Sequence, residues 1–136
     1  QTYCGQGIGN YCAEKTGRKN INGDGDPLDI CVFTEKNIPH GNILIPAIPI
    51  GGFRMIDKGQ ADDKIIAVMK HDEVYNQWKN ITDLPVTLLE RLRHYFLTYK
   101  AMPGAENQCE ITHVYDAGEA KEIIKISQED YKNLIA

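Results

Sequence analysis

The chain has 136 residues, the length of one domain built around one hydrophobic core. Its hydrophobic content of 42% and charged content of 25% are those of an ordinary globular protein. The formal net charge of −4, without a basic block, argues against nucleic acid as a partner, and no apolar run is long enough to cross a membrane.

The chain contains four cysteines, Cys4, Cys12, Cys31 and Cys109. They form no C-x-x-C pair, and no histidine lies at zinc-finger spacing from them. This pattern favours reduced thiols in a cytoplasmic protein over a disulfide framework. Because Cys31 lies within an apolar run, we expect it to be buried as a small apolar residue.

The first 22 residues are rich in Gly, Asn and Lys and show no clear hydrophobic period, which predicts a loop. Within them, GQGIGN at 5–10 lacks the spacing of a dinucleotide-binding fingerprint, and no predicted strand precedes it. We therefore expect residues 5–10 to form a flexible loop.

Three short segments have strand-like patterns. ICVF at 30–33 and KIIAVM at 64–69 are apolar runs, and CEITHVY at 109–115 alternates. Short strands at such close spacing predict a small barrel or sandwich.

Residues 42–56 are also strand-like, but Pro46, Pro49 and the Gly51-Gly52 pair interrupt them. Proline cannot donate to a ladder of hydrogen bonds, and glycine weakens a strand. We therefore expect two or more short strands here.

After Thr82, apolar residues recur with the period of an α-helix. They are Leu88, Leu89, Leu92, Tyr95, Phe96 and Tyr99. Thr82 or Asp83 can cap this helix, and Pro85 suits its first turn. A second helix is predicted from about residue 118 to the end. Its apolar face comprises Ala120, Ile123, Ile124, Ser127, Tyr131 and Leu134.

Two groups of acidic residues each lie beside a predicted strand. They are Asp24, Asp26 and Asp29, and then Asp57, Asp62 and Asp63, which Lys64 follows. Aspartate and glycine also form turns, so the first group could be only a solvated turn. However, two carboxylates about 5 Å apart repel by about 3 kcal/mol at an effective dielectric constant of about 20. If the fold brings the groups together, hard cations such as Mg²⁺, Mn²⁺ or Ca²⁺ would neutralise them.

An EF-hand is the alternative interpretation of the first group, because NINGDG at 20–25 resembles the start of its loop. The twelfth position of that loop requires Glu, but Cys31 stands there. A predicted strand also follows where an EF-hand has a helix. We therefore reject this interpretation.

DGDPLDI at 24–30 resembles the signature of the family I soluble inorganic pyrophosphatases. Further along, RMIDKGQADDKIIAV at 54–68 is similar to that family's second acidic segment, and HYFLTYK at 94–100 to its helix ending in Tyr-Lys. QTYCG at 1–5 resembles the segment that carries a site tyrosine. The resemblance covers nearly the whole chain. It implies an α+β fold, a small OB-like five-stranded β-barrel with flanking helices.

The resemblance also implies an activity, the metal-dependent hydrolysis of inorganic pyrophosphate to two orthophosphates by a metal-activated water. The implied cofactor is Mg²⁺, with several ions per site and Mn²⁺ possible. The implied metal ligands are Asp24, Asp29, Asp57 and Asp62. Asp26 is implied to orient the water and accept its proton. In an extended chain, Asp24 and Asp26 would point to the same side.

The resemblance places Lys64, Tyr99 and Lys100 on the phosphates as catalytic and substrate-binding residues. Tyr3 is the implied site tyrosine, and Tyr11 is the alternative. We expect Asp63 to face solvent, and we assign no chemistry to Arg54. The four histidines are scattered and are interpreted as structural or surface residues.

Two features depart from the family pattern. Lys58 stands where the family often has Glu, so we expect altered metal affinity. Nothing in the chain matches the strand-rich segment that the family has before its site tyrosine. We therefore expect a single domain over residues 1–136 that lacks an N-terminal strand segment.

We further expect a cytoplasmic homo-oligomer. A non-catalytic module that binds divalent metals is one alternative function. A metal-dependent phosphoesterase acting on nucleotides or organic esters is another.

Overall fold

The computed structural model describes residues 6–136, and the side chains of residues 8–136. Its elements in chain order are α1 (Gln6–Thr16), β1 (Asn22–Gly23), β2 (Asp29–Phe33), β3 (Ala47–Asp57), β4 (Gln60–Ala61), β5 (Lys64–Met69), a 3₁₀ turn (Ile81–Asp83), α2 (Val86–Thr98), β6 (Cys109–Asp116) and α3 (Ala117–Ile135). Tyr3 and Cys4 lie outside the described residues. The three cysteines within them, Cys12, Cys31 and Cys109, are free thiols, and Cys31 is half-buried rather than buried.

The strands form one mixed sheet around the long strand β3. One edge of β3 pairs with β6, and the other pairs with β5 and then with β4, all antiparallel. β1 pairs in parallel with β4, and β2 pairs in parallel with β5, so β4 and β5 share one edge of β3 and each carries a further strand on its outer side. The predicted mixture of a small sheet and flanking helices is confirmed. Two strands of only two residues bring the described total to six.

The prediction that residues 42–56 form several short strands is wrong, because Ala47–Asp57 is a single strand of 11 residues. The register shifts between Pro49 and Gly51, so the strand accommodates the proline with an irregularity and continues. The glycine pair is explained by close packing. A Cβ at Gly51 would lie 2.5 Å from the carbonyl oxygen of Tyr115, and a Cβ at Gly52 would lie 2.5 Å from the ring of Tyr115.

The prediction of a loop at the start of the chain is wrong too, since Gln6–Thr16 is a helix. Two residues of this helix, Ile8 and Cys12, lie one turn apart and are completely buried. Gly9 lets the helix approach the chain around Ile21, because a Cβ there would lie 2.4 Å from the Ile21 carbonyl oxygen. Tertiary packing therefore stabilises a helix that has two glycines and a weak apolar period.

Apolar residues pack on both faces of the sheet. α1 and α3 cover one face, where Ile65, Tyr115 and Ile123 belong to one buried cluster. α2 and the 3₁₀ turn cover the other face, where Ile66 and Phe96 belong to the second cluster. Neighbouring residues of β5 thus point into different clusters, as the alternation of a strand requires.

The two predicted helices are confirmed, with different starts. Asp83 belongs to the 3₁₀ turn, where its carboxylate accepts hydrogen bonds from the amides of Lys79 and Asn80 at 2.9 and 3.0 Å. Thr82 also lies in this turn, and Pro85 occupies the N-cap position of α2, so the predicted cap residues do not cap it.

The second helix is α3. Asp116 caps it by accepting a hydrogen bond from the Glu119 amide at 2.9 Å. Ala120, Ile123 and Ser127 are buried as expected, but Leu134 is exposed. Within residues 6–136, no helix has the length and apolar character needed to cross a membrane.

Candidate active site

The parallel pairing of β2 with β5 places Asp29 directly beside Lys64. The ammonium of Lys64 donates a hydrogen bond to Asp29 Oδ2 at 2.6 Å. The Lys64 side chain is only 4% exposed, whereas that of Asp29 is 64% exposed. The register of β2 and β5 therefore places the buried ammonium of Lys64 next to the solvent-exposed carboxylate of Asp29.

Asp62 extends this pair into a longer series of charges. Its Oδ1 accepts a hydrogen bond from Lys64 at 2.8 Å, and its Oδ2 lies 4.0 Å from the ammonium of Lys100. Lys100, just after the end of α2, also donates to Asp57 Oδ2 at 3.2 Å. The series Asp29, Lys64, Asp62, Lys100 and Asp57 alternates in sign along one end of the sheet.

Asp24 and Asp26 lie in a turn, so the expected extended conformation is wrong for this segment. Gly25 has a φ of +77°, which favours glycine, and the Asp26 amide donates to Asp24 Oδ1 at 3.0 Å. Burial raises the pKa of the Asp24 carboxyl to about 6; the hydrogen bond from the Asp26 amide opposes this shift, whereas the negative charges of Asp62 and Asp26 add to it. The charge of Asp62 thus acts on the Asp24 carboxyl.

The ion pairs keep both lysines charged. Burial alone would lower the pKa of Lys64, but its hydrogen bonds to Asp29 and Asp62 outweigh burial and raise it. The hydrogen bond to Asp57 raises the pKa of Lys100 above its ordinary value. For Asp57, burial is outweighed by hydrogen bonds from Cys109 and Lys100, so its pKa is lowered. These groups keep their opposite charges at neutral pH.

Tyr99 lies at the rim of this site. It is 42% exposed, and its ring stacks on that of Tyr95 with 5.3 Å between centroids. Together with Asp29 and Lys64 it lines an open cleft of about 210 Å³, and the Lys100 ammonium lies 5.4 Å from its ring centroid. A residue that continues the apolar stripe of α2 therefore also faces the charged groups.

The structure shows the surroundings of Tyr11 and Lys58, two residues to which the family resemblance drew attention. The hydroxyl of Tyr11, the alternative to Tyr3 as site tyrosine, lies 3.2 Å from carboxylate oxygens of both Glu119 and Glu122 on α3, either of which can accept its one proton. Lys58, at the position where the family often has Glu, lies in the two-residue hairpin loop with Gly59. Its φ of 51° is unusual for a lysine, and its side chain is exposed.

The prediction that Asp63 faces solvent is wrong, because it is 1% exposed. The hydroxyl of Tyr115 donates to its Oδ2 at 3.0 Å, and the thiol of Cys12 lies 3.7 Å from its Oδ1. Burial raises the pKa of Asp63 to about 6, against the opposing effects of Arg54 and of the Tyr115 hydrogen bond. Strand alternation could have revealed this: if Asp62 and Lys64 share one face, Asp63 points to the other.

Arg54, to which the sequence assigns no chemistry, is 2% exposed and forms an ion pair with Glu119 at 2.7 Å. Its guanidinium carbon lies 5.4 Å from the ring centroid of Tyr11 and 5.1 Å from that of Tyr115. Buried arginines need such partners. Arg54 and Asp63 thus form a second polar cluster, on the opposite face of the sheet from the candidate site.

The donors at the candidate site are carboxylate oxygens, the ligands that Mg²⁺ and Mn²⁺ prefer. Lys64 bridges the carboxylates of Asp29 and Asp62, and Lys100 pairs with Asp57. Within residues 6–136 no three metal-ligating side chains converge on one point. The chemistry of the donor set therefore fits a divalent ion.

Comparison with known proteins supports the resemblance carried by the motifs. The inorganic pyrophosphatase family model matches residues 1–132. Two relatives, the inorganic pyrophosphatases of Chlamydia caviae and Chlamydia muridarum, are 51% and 52% identical to the chain. Each match includes 98% of this chain and 64% or 66% of the relative, so the chain spans just under two thirds of their length.

Solved structures show the same relationship. The inorganic phosphatase of Anaplasma phagocytophilum is 32% identical with a TM-score of 0.72, over 81% of this chain and 64% of the other. The inorganic pyrophosphatase of Thermus thermophilus is 28% identical with a TM-score of 0.72, over 80% and 63%. These neighbours confirm the OB-like fold class. The chain belongs to the inorganic pyrophosphatase family.

Proposed function

We propose that the protein hydrolyses inorganic pyrophosphate to two orthophosphates. A water oxygen forms a new bond to one phosphorus, and the bond from that phosphorus to the bridging oxygen breaks. The bridging oxygen leaves with the second phosphate. The observation that carries the proposal is the alternating series Asp29, Lys64, Asp62, Lys100 and Asp57, since a metal-assisted reaction of a polyanion needs both carboxylates and cations.

Inorganic pyrophosphatases are metal-dependent. We propose that Asp24, Asp29, Asp57 and Asp62 hold several Mg²⁺ ions, for which Mn²⁺ can substitute. When bound, such ions neutralise phosphate charge and lower the pKa of a water molecule. The raised pKa of Asp24 supports this assignment, because a carboxylate that is costly to ionise alone gains from a neighbouring cation.

We assign to Asp26 the orientation of the attacking water and the acceptance of its proton. Its carboxylate is exposed, and its backbone is held by the hydrogen bond from its own amide to Asp24. Asp24 thereby limits the positions from which the Asp26 carboxylate can reach a water molecule.

Lys64, Lys100 and Tyr99 are assigned to the phosphate groups. Both lysines carry a full charge at neutral pH, since their pKa values are raised by their ion pairs. Each can exchange a carboxylate oxygen for a phosphate oxygen without losing its charge-assisted hydrogen bond. Tyr99 borders the same cleft as Lys64. Tyr3, as a further substrate contact, stays a prediction because it lies outside the described residues.

The remaining expectations belong to the same proposal. The protein is proposed to be a cytoplasmic homo-oligomer, and the free thiols of Cys12, Cys31 and Cys109 agree with a reducing compartment. The single-domain organisation over residues 1–136 stays a prediction.

Release of orthophosphate with Mg²⁺ present tests the proposed function. We expect steady release from pyrophosphate and little from nucleotides or organic phosphate esters. A non-catalytic metal-binding module would release none from any of them, and a phosphoesterase would release it from the esters. Either of these outcomes would contradict the proposal.

A further inference from the structure

Two residues, Asp62 and Asp63, join β4 to β5, and we call them the connector. Both flanking strands pair with the same edge of β3. The connector is the short segment between these two paired strands. The amide of Asp62 donates to the Met55 carbonyl at 3.0 Å, which ties the connector to β3 on one side. This hydrogen bond fixes the backbone of the connector at Asp62, but the directions of the Asp62 and Asp63 side chains depend on their own contacts.

The connector sends its side chains in opposite directions. Asp62 contacts Lys64 and lies near Lys100 in the candidate active site. Asp63, between Asp62 and Lys64 in sequence, points through the sheet to the face that α1 and α3 cover. A rotation of the backbone that moved Asp63 would therefore also move the two site residues on either side of it.

Asp63 is tightly held on that inner face. The Tyr115 hydroxyl donates to it at 3.0 Å, and the Cys12 thiol lies 3.7 Å from its other oxygen. These partners come from β6 and α1, which are far from the connector in sequence. A buried carboxylate that lost its hydrogen bonds would be strongly destabilised, so these partners favour the inward position of Asp63.

The Tyr115 side chain is in turn fixed from two sides. Gly52 leaves room for it, because a Cβ there would lie 2.7 Å from the Tyr115 hydroxyl oxygen. Arg54 lies over its ring at 5.1 Å and is anchored by the ion pair with Glu119. The hydroxyl that holds Asp63 is therefore itself held in one position.

We propose that Tyr115 and Asp63 are positioning residues for the candidate active site, the Tyr115–Asp63 hydrogen bond orienting the connector so that Asp62 and Lys64 face the substrate. The proposal rests on the proposed pyrophosphatase function. Neither residue contacts the substrate; each acts through the backbone of the connector. Small displacements of such groups have large effects, since a shift of about 1 Å can lower a rate about 100-fold.

The test compares Tyr115→Phe with Ile123→Val in the full chain. Tyr115→Phe removes the hydrogen bond and keeps the ring against Arg54. Ile123→Val is the matched control, because Ile123 is fully buried in the same apolar cluster as Tyr115 and contributes no polar group to it. Both are measured for kcat and KM with pyrophosphate, for stability in urea, and for amide hydrogen exchange over residues 60–65.

Tyr115→Phe is expected to lower kcat by about tenfold, as loss of an outer partner typically does. The amide hydrogens of residues 60–65 should also exchange faster in Tyr115→Phe than in Ile123→Val. The two variants are compared at urea concentrations equally far below their unfolding midpoints. Ile123→Val should lower stability and leave kcat per folded molecule unchanged. If Tyr115→Phe affects only stability, as Ile123→Val does, the positioning role is overturned.

A second variant keeps the test valid if Tyr115→Phe folds poorly. Asp63→Asn retains an oxygen that can accept from Tyr115, so we expect it to keep most of the wild-type kcat, whereas Asp63→Val should lose it as Tyr115→Phe does. Equal kcat values for Asp63→Asn and Asp63→Val would overturn the proposal. Absence of pyrophosphatase activity in the wild-type protein would instead contradict the proposed function, and the exchange measurement would still test the connector.

Discussion

Lys64 and Asp29 are direct partners in the parallel β2–β5 pair, and the ammonium of one lies 2.6 Å from the carboxylate of the other. The same ammonium lies 2.8 Å from Asp62. Lys64 is nearly inaccessible to solvent, so its charge depends on these two carboxylates. The pairing register of the sheet is therefore a direct determinant of the electrostatics of the candidate site.

We expect Lys64→Met to lower both stability and activity. Asp62 is 11% exposed and would be left beside an apolar chain, and breaking such a pair from one side costs about 3 kcal/mol. Loss of a single electrostatic contact to the reacting group lowers kcat by about 100-fold. Urea denaturation and the phosphate-release assay measure the two effects.

Lys121→Met is the control for this change, because Lys121 is an exposed lysine on α3. It should leave stability and activity close to those of the wild type. A Lys64→Met protein with unchanged kcat/KM would contradict the assignment of Lys64 to the substrate.

Asp26→Asn is expected to remove most of the turnover and leave metal binding largely intact. The reason is that Asp26 is assigned to proton acceptance and not to metal ligation. Isothermal titration with Mn²⁺ beside the activity assay distinguishes the two roles. Activity within a few-fold of the wild type would show that another group accepts the proton.

Asp29→Ala should instead lose metal affinity and activity together, since Asp29 is assigned as a metal ligand. It also removes one of the two acceptors of Lys64, but Asp29 is 64% exposed, so we expect only a small loss of stability. The same Mn²⁺ titration measures the change in affinity. An unchanged titration curve would remove Asp29 from the set of ligands.

Asp72 predicts a pH dependence of stability away from the site. Its carboxylate accepts hydrogen bonds from the amides of Tyr75 at 2.9 Å, Glu35 at 2.6 Å and Val74 at 3.0 Å, and these lower its pKa. A lowered pKa in the folded state stabilises the protein above the unfolded-state pKa of about 3.9, and this stabilisation is lost as the pH falls through the folded-state value.

We therefore expect Asp72→Asn to melt a few degrees below the wild type at neutral pH. The difference between the two melting temperatures should shrink as the pH falls below about 4. Thermal unfolding followed by circular dichroism across this range measures it. A difference that stayed constant with pH would mean that the charge of Asp72 does not contribute.

The features that depend on local pattern can be predicted from the amino-acid sequence. β2, β5 and β6 follow from short runs of apolar or alternating residues, and α2 and α3 follow from apolar residues at helical spacing. The acidic groups and the motifs at 24–30, 54–68 and 94–100 also point to the family without any knowledge of the fold. Periodicity and motif spacing are properties of neighbouring residues, so they can be read along the chain.

Other features depend on contacts between distant segments and could not be predicted from local pattern. α1 is a helix because Ile8 and Cys12 are buried against the sheet, and Gly51 and Gly52 lie within a strand because Tyr115 packs against them. Asp63 is buried because its partners come from other parts of the chain. Local propensity favours loops, breaks and solvent exposure at these places, and close packing and hydrogen bonds between distant residues outweigh it.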